Sequence, residues 1–374
     1  MAGIYIHIPY CRQACTYCDF HFSTNLSTKN DLLEAIHTEI DLRKDYLKGQ
    51  EIETVYFGGG TPSVLSSIEI KSILDHLQDS YSFQHGFECT LEANPDDLNP
   101  NYLDALIETQ INRLSIGIQS FYEEDMKYMH RSHTPQQSLD AIHNARRIGF
   151  QKLSIDLIYG SPTTGQDHWK KNLDIAFDLD LAHLSCYALT VEPKTILANQ
   201  IKKRNAKGPD DHETIHQLEY LMDVAPDHGF EQYEISNFAK EGHRSKHNSS
   251  YWRGEQYIGF GPAAHSFDGL SRQWNVANNN QYIQLIKNEQ SFFEIEILND
   301  IMKYNEYILT RLRTIEGVSM HELKEPFKSH VIKQSNHWAN EKFVVLSDQS
   351  IQLTRKGKFI ADRISADLFF AEEI

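Results

Sequence analysis

The sequence predicts an α/β fold, because short apolar strands alternate with longer amphipathic helices through the first half of the chain. Thr28 and Ser66 are suitable N-caps for two of these helices, and Gly49 and Gly149 are suitable stops. Strict alternation indicates a parallel sheet with helices packed outside it. The sixth strand–helix unit ends near residue 190, so we expect a partial (βα)6 barrel, similar to an incomplete TIM barrel.

The individual elements follow this scheme in order. Residues 4–8 form the first predicted strand, and 28–48 form the helix after it. The remaining strands are expected at 54–57, 87–92, 113–117, 152–157 and 183–189. The helices between them are expected at 66–81, 100–109, 135–148 and 166–179.

Two shifts in composition divide the rest of the chain. Residues 191–297 contain a predicted helix at 211–228 and then a stretch rich in Gly, Asn and His, which we expect to extend the barrel. Residues 298–374 are predicted to form a helical, winged-helix-like domain. Its expected elements are helices at 301–313 and 320–325, the second ended by Pro326, a hairpin of 343–346 with 351–353, and a last helix from 356.

The overall composition limits the classes of function. The chain has 374 residues and is 40% hydrophobic, which suffices for a large core. Its net charge of −16 repels phosphate backbones, so we expect no nucleic acid partner. No apolar run approaches the length of a membrane span, although a peripheral membrane contact stays open. We expect a cytoplasmic protein, because no secretory signal opens the chain and its five cysteines do not suggest a disulfide framework.

Three of the five cysteines lie close together in the loop after the first strand. Cys11, Cys15 and Cys18 have C-x3-C-x2-C spacing at the edge where barrel active sites are built. Three thiolates on a [4Fe–4S] cluster leave one iron without a protein ligand, free to take an external chelate such as the methionine part of S-adenosylmethionine (SAM). A zinc site completed by His7 or His21 is the alternative. The two remaining cysteines are expected to be buried packing residues.

A glycine run, Gly58-Gly59-Gly60-Thr61-Pro62, follows the second strand. Alone it would indicate only a tight turn. At the same edge of the barrel as the cysteines, it indicates bare backbone against which a ligand can lie. We therefore expect a side chain at Gly59 or Gly60 to obstruct that ligand.

These motifs together resemble the coproporphyrinogen dehydrogenase (HemN)-like family of radical SAM proteins, and within it the HemW heme-chaperone subgroup. Besides the cysteines and glycines, the resemblance rests on residues 5–11 (YIHIPYC), 91–95 (LEANP), 115–121 (SIGIQSF) and 155–160 (IDLIYG). It covers nearly the whole chain, and the motifs occur in the family's order.

The resemblance implies the cofactors and their ligands. The cluster would be held by Cys11, Cys15 and Cys18. SAM would be contacted by Tyr5, Gly59, Gly60, Thr61, Glu92, Gln119, Arg131 and Asp156. An inward polar side chain on a strand is costly unless something pairs with it, which independently favours Glu92, Gln119 and Asp156 as ligand contacts over inter-loop hydrogen bonds. For Arg131 a surface salt bridge explains the residue equally well.

Two departures separate the chain from the dehydrogenase. Phe20 occupies the position of that enzyme's fourth cysteine, and the first strand begins at Ile4, without the N-terminal extension that helps to close over substrate. Residues 247–252 (HNSSYW) instead match the HNxxYW motif of the chaperone subgroup, in which the histidine is implicated in binding heme. This makes His247, in a predicted adaptable loop, the expected heme ligand, with His243 and His265 as alternatives.

The resemblance therefore implies a HemW-like protein that binds heme and delivers it to apo-hemoproteins. The alternative is an oxygen-independent coproporphyrinogen III oxidase, which decarboxylates two propionates to vinyls. A radical SAM enzyme acting on another tetrapyrrole is the third possibility.

Overall fold

The computed structural model describes residues 1–371 around one twelve-stranded sheet. Its six central strands pair in chain order and in parallel. They are β1 Ala2–Ile8, β2 Ile52–Gly59, β3 Phe83–Ala93, β4 Arg113–Gln119, β5 Lys152–Tyr159 and β6 His183–Ala188. The predicted six-unit barrel is confirmed.

Helices cover the outside of these strands and supply their crossovers. They are α1 Lys29–Leu42, α2 Ser67–Ser80, α3 Pro100–Ile107, α4 Glu123–Met129, α5 Pro135–Ile148 and α6 Gln166–Asp178. Short 3₁₀ turns occupy Pro62–Val64 and Pro95–Asp97. Sequence patterns had not predicted α4, because it is only two turns long and begins with three acidic residues rather than an apolar stripe.

The segment after β6 extends both edges of the sheet. β7 Glu231–Gln232 and β8 Asn237–Ala239 lie beside β6, while β9 Gln256–Phe260 runs parallel to β1. Beyond β9 follow β10 His265–Phe267, β11 Ser271–Asn275 and β12 Phe293–Ile297. The helices are α7 Ile196–Lys202, α8 Asp211–Val224 with a 3₁₀ turn at Ala225–His228, α9 Lys246–Trp252 and α10 Asn279–Lys287. Buried side chains from Ala2 to Phe292 form one core, so this segment is continuous with the barrel.

The C-terminal part has a separate hydrophobic core, built by residues from Tyr304 to Leu368. Its helices are α11 Asp300–Leu312, α12 Phe327–Asn340, α13 Arg355–Lys358 and α14 Ala361–Leu368. A small sheet of β13 Val318–Ser319, β14 Val344–Leu346 and β15 Ser350–Leu353 completes the winged-helix-like arrangement. The predicted domain boundary at residue 298 remains a proposal, which this separate core supports. Residues 372–374 lie outside the part of the chain that the structure describes.

One predicted element of this domain is wrong. Residues 320–325 form no helix; the chain leaves β13 in a turn, and the helix begins at Phe327 instead. Pro326, expected to end a helix, occupies the N-cap of α12. A proline is tolerated at a helix start because the first N–H groups have no intrahelical partner.

A buried ion pair fixes the added strands to the barrel. Glu39 on α1 and Arg43 at its C-cap form a salt bridge of 2.9 Å and are almost fully buried. The Glu39 carboxylate also accepts hydrogen bonds from the Gly261 N–H, the Asn275 side chain and the Tyr282 hydroxyl. Arg43 donates to the Gly259 carbonyl and to side chains on β10 and β11. Both charged side chains therefore have hydrogen-bond partners in the segment that adds strands β9 to β11 beside β1.

We expect Arg43→Met to destabilise the fold by about 3–5 kcal/mol, because it leaves the Glu39 carboxylate buried without its cation. The matched control is Lys71→Met, whose ion pair with Asp75 is exposed and should matter by less than about 1 kcal/mol. Denaturant unfolding of the two variants measures the difference. Equal destabilisation would contradict the role given to this pair.

No helix of residues 1–371 combines the length and apolar character needed to cross a bilayer.

Candidate functional site

The three clustered cysteines lie on a loop closed by backbone hydrogen bonds just beyond β1. The Cys11 N–H donates to the Ser23 carbonyl at 3.0 Å, and the Ser23 N–H donates to the Pro9 carbonyl at 2.8 Å. Cys11 is buried, whereas Cys15 and Cys18 are partly exposed, and none of them is in a disulfide. The loop therefore presents three free thiols at the carboxyl edge of the parallel strands.

Two side chains from other loops donate to these sulfurs. Thr61 Oγ1 lies 3.3 Å from Cys11 Sγ, and Arg131 Nη1 lies 3.2 Å from Cys15 Sγ. Burial raises the pKa of the Cys11 thiol, and it raises that of Cys18 to about 11. The Cys11 and Cys18 thiols are thus protonated at neutral pH without metal, and metal binding must release their protons. Donors aimed at sulfur suit a thiolate-bound cluster, whose potential such bonds tune.

The zinc alternative finds no support in this arrangement. Within residues 1–371, no group of three or more His, Cys, Asp or Glu side chains is placed to hold one metal ion. His7 Nε2 contacts the His21 carbonyl at 3.0 Å and its Nδ1 contacts the Tyr5 hydroxyl at 3.1 Å. His21 Nε2 is bonded to Asn279. A cubane cluster spreads its thiolates over three irons, so they need not converge on one point.

The glycine run packs against the cysteine loop. The Gly60 N–H donates to the Ile8 carbonyl at 2.9 Å, and the Thr61 N–H donates to the Tyr10 carbonyl at 2.7 Å. A Cβ on Gly60 would lie 2.8 Å from the Tyr10 backbone, and one on Gly59 would lie 2.6 Å from the His7 ring. A side chain at Gly60 would therefore displace the loop that carries the cysteines, and one at Gly59 would displace the His7 ring of β1, whether or not a ligand lies against the run.

Two carboxylates lie inside the barrel without a salt-bridge partner. Glu92, at the end of β3, accepts a 2.7 Å hydrogen bond from the Tyr56 hydroxyl. Burial raises its pKa to about 7. Asp156, on β5, accepts from Ser115 at 3.3 Å, and burial raises its pKa to about 6. Both keep some accessible surface, as expected of side chains that line an internal space.

Arg131 is an interior residue and not a surface salt bridge. Its Nη2 donates to Asn94 Oδ1 at 2.8 Å and to the Gly117 carbonyl at 2.7 Å. Its Nε is buried without a partner, which leaves a donor for a ligand. Gln119 ends β4 with a φ of 71° and is largely buried. Non-glycine residues rarely adopt this conformation, and such strain often occurs at binding sites.

Tyr5 completes the set of predicted SAM contacts on β1. Its ring stacks on Tyr56, with 6.2 Å between centroids, and burial raises the pKa of its hydroxyl. Sequence reasoning missed Tyr56 and Asn94, although Tyr56 is the β-sheet partner of Tyr5 and Asn94 lies within the LEANP motif. The period-two alternation of β2 could have identified Tyr56 as a residue facing the barrel interior.

His247 lies in helix α9, not in the adaptable loop that the sequence predicted. The side chain is only 1% exposed, and burial lowers its pKa to about 3. Nδ1 contacts Thr54 Oγ1 at 2.7 Å and Nε2 contacts the Tyr251 hydroxyl at 2.9 Å. Both ring nitrogens are occupied, so heme coordination by His247 would require these bonds to break and the helix to move. The alternatives, His243 and His265, are exposed.

Comparison with known proteins defines the class of this site. Residues 5–176 match the Radical SAM superfamily. The chain is 33% identical to the heme chaperone HemW of Bacillus subtilis, covering 97% of this chain and 98% of the relative. It is 35% identical to the heme chaperone HemW of Escherichia coli over 70% of this chain and 69% of the relative. The chain therefore belongs to the radical SAM superfamily and, within it, to the family of the HemW heme chaperones.

A solved structure shares the whole fold. Coproporphyrinogen III oxidase (HemN) from Escherichia coli, a radical SAM enzyme, superposes with a TM-score of 0.86 over 98% of this chain and 90% of its own. The two sequences are 22% identical, so the likeness concerns the fold alone.

We expect Cys11→Ala, Cys15→Ala and Cys18→Ala each to abolish the brown chromophore after anaerobic reconstitution, because each thiolate binds its own iron. The wild-type protein should hold about four irons per chain. Cys89→Ala and Cys186→Ala are the controls, because both residues are fully buried in the core away from the loop. Iron and sulfide analysis decides between these outcomes, and a wild-type protein that takes up zinc and no iron would contradict the assignment.

Glu92→Gln should stabilise the cluster-free protein at pH 8 by about 1–3 kcal/mol. The folded pKa of Glu92 is raised from 4.5 to about 7, so the native state holds its proton more tightly. Wild-type stability therefore falls as pH rises between these two values, and the variant lacks that loss. Denaturant unfolding at pH 5 and pH 8 measures it. A difference independent of pH would contradict the argument.

Proposed function

We propose that the protein is a heme chaperone of the HemW type, which binds heme, carries one [4Fe–4S] cluster with SAM, and delivers heme to apo-hemoproteins. The observation that carries this proposal is the 33% identity to a heme chaperone over essentially the whole length of both chains. A peripheral membrane contact, which the sequence leaves open, has no electrostatic support, since the chain carries a net charge of −16.

The cysteine loop is the proposed seat of the cluster. Cys11, Cys15 and Cys18 would each bind one iron, while Thr61 and Arg131 donate to two of the sulfurs. When bound, the cluster would supply one-electron chemistry to SAM at its open iron. The chain itself would hold the three thiols at the carboxyl edge of the barrel strands, through the backbone hydrogen bonds of the cysteine loop.

The predicted SAM contacts form a proposed binding surface that matches the charges of that cofactor. Glu92 and Asp156 are desolvated carboxylates with raised pKa values, so a cationic sulfonium or ammonium group would stabilise their ionised forms. The unpartnered Arg131 Nε suits an acceptor atom of the ligand. The N–H groups of Gly60 and Thr61 are already bonded within the protein, so these two residues can contact SAM only through their carbonyl oxygens or the Thr61 side chain.

Coproporphyrinogen decarboxylation is the less favoured function. Its support is the likeness to HemN, which concerns the fold alone. Phe20, at the position of the dehydrogenase's fourth cysteine, is 68% exposed and supplies no thiol.

We expect the reconstituted protein to bind heme saturably and to form little or no protoporphyrinogen IX from coproporphyrinogen III and SAM under anaerobic conditions. A heme titration followed at the Soret band and chromatography of the tetrapyrroles test both halves on one sample. Robust SAM-dependent turnover would favour the oxidase instead, and absence of saturable heme binding would end the chaperone proposal.

A further inference from the structure

The predicted heme ligand and the predicted SAM contacts meet inside the barrel. The ring of His247, on α9, stacks on the ring of Tyr56, with 4.9 Å between the two centroids and 19° between the ring planes. The hydroxyl of the same tyrosine donates to the Glu92 carboxylate at 2.7 Å. Tyr56 therefore contacts the predicted heme ligand with its ring and a predicted SAM contact with its hydroxyl.

Tyr5, another predicted SAM contact, belongs to the same stack. Its ring centroid lies 6.2 Å from that of Tyr56 and 6.5 Å from that of His247, with interplanar angles of 21° and 24°. Tyr5 and Tyr56 are also directly paired between β1 and β2. Because the three rings are nearly parallel and packed together, the position of the imidazole constrains both tyrosines.

The strands that carry these SAM-side residues also hold α9 in place. Thr54, two residues before Tyr56 on β2, contacts His247 Nδ1 at 2.7 Å. Glu88, four residues before Glu92 on β3, accepts hydrogen bonds from the backbone N–H of His247 at 3.2 Å and from that of the preceding residue at 3.0 Å. Alternate residues of a strand share a face, so the groups that fix α9 and the groups that face SAM lie on the same inner face of the sheet.

Heme cannot bind His247 while this packing is intact. The side chain is 1% exposed, and its Nε2 contacts the Tyr251 hydroxyl at 2.9 Å. For iron to bind either ring nitrogen, a bond to Thr54 or Tyr251 must break and the ring must leave its place on Tyr56. An imidazole that ligates heme is therefore withdrawn from the SAM side of the barrel.

We propose that His247 either ligates heme or supports the SAM contacts through Tyr56, so that heme and SAM each weaken the binding of the other. Tyr56 is the positioning residue that links the two sites, because its hydroxyl is held on Glu92 only while the imidazole packs against its ring. SAM favours the stacked state and thereby promotes heme release, since a ligand shifts an equilibrium towards the state that it binds better. The inference rests on the proposed heme binding, with His247 as the ligand, and adds how that binding is regulated.

The test is a pair of titrations of the full-length, anaerobically reconstituted protein, without a reductant so that SAM stays intact. Equilibrium dialysis measures SAM affinity with and without saturating ferric heme, and the Soret band measures heme affinity with and without saturating SAM. We expect each ligand to weaken the other by the same factor, about fivefold or more, because coupling between two sites is reciprocal. The effect should level off once the first ligand saturates. Independent affinities would overturn the inference, and so would weakening that grows without limit, because it indicates competition for a single site.

Tyr56→Phe isolates the link, because it keeps the ring and removes the hydroxyl. The variant should bind SAM about tenfold more weakly in the absence of heme, and heme should weaken SAM binding by a smaller factor than in the wild type. The matched control is Tyr304→Phe, which removes a buried hydroxyl that donates to the Leu368 carbonyl at 2.9 Å in the C-terminal core. This control should leave both affinities and their coupling unchanged. Undiminished coupling in Tyr56→Phe would contradict the role of Tyr56.

His247→Ala tests the SAM side without any heme. Removal of the ring should weaken SAM binding about two- to tenfold, because the two tyrosines lose the group on which they stack. Four irons per chain would show that the cluster site is intact. An unchanged SAM affinity would contradict the support assigned to the imidazole. If this variant does not fold, the wild-type titrations and Tyr56→Phe decide the question.

The outcomes separate this inference from the proposed function. If the wild type binds no heme saturably, the proposed function fails and the antagonism with SAM fails with it. If the wild type binds heme with an affinity that SAM does not change, the chaperone proposal stands and only the inference is overturned.

Discussion

The close packing of the cysteine loop on the glycine run is the constraint on which the rest of the site depends. Gly60 and Thr61 donate their N–H groups to the carbonyls of Ile8 and Tyr10, immediately before the first cysteine. The backbones approach so closely that no Cβ fits at Gly60. Two parallel strands therefore fix where the loop leaves the sheet, and with it the position of Cys11. This is preorganisation achieved with backbone atoms alone.

Several polar side chains that face the barrel interior are only partly paired with other groups of the protein. The Glu92 and Asp156 carboxylates have raised pKa values because they are desolvated, and the Arg131 Nε has no partner. Such groups cost stability in the empty protein and are stabilised when a ligand of matching charge binds. The buried Glu39–Arg43 network has the opposite character, because each of its charges is matched, and it joins the added strands to the barrel. The partly paired groups are therefore expected to contact a ligand, whereas the fully paired Glu39–Arg43 network stabilises the fold.

The sequence predicted what depends on local pattern. Strand and helix periodicity located the six units of the barrel, and the cysteine spacing located the loop that the structure places at their carboxyl edge. Non-local packing was not accessible to the same reasoning. The added strands join the barrel through two long-range pairings, β8 with β6 and β9 with β1. The ring of His247 is likewise enclosed by Thr54 from β2 and Tyr251 from α9. The helix predicted to end at Pro326 was wrong, because a proline can either end a helix or stand at its start.

The central claim is that one chain holds a [4Fe–4S] cluster and heme at the same time. The most direct measurement is a combined analysis of non-heme iron, acid-labile sulfide and heme in one sample that has been loaded with both and freed of excess. The account predicts about four non-heme irons and about one heme per chain together. Heme that binds only as the cluster is lost, so that the two contents vary inversely, would contradict it.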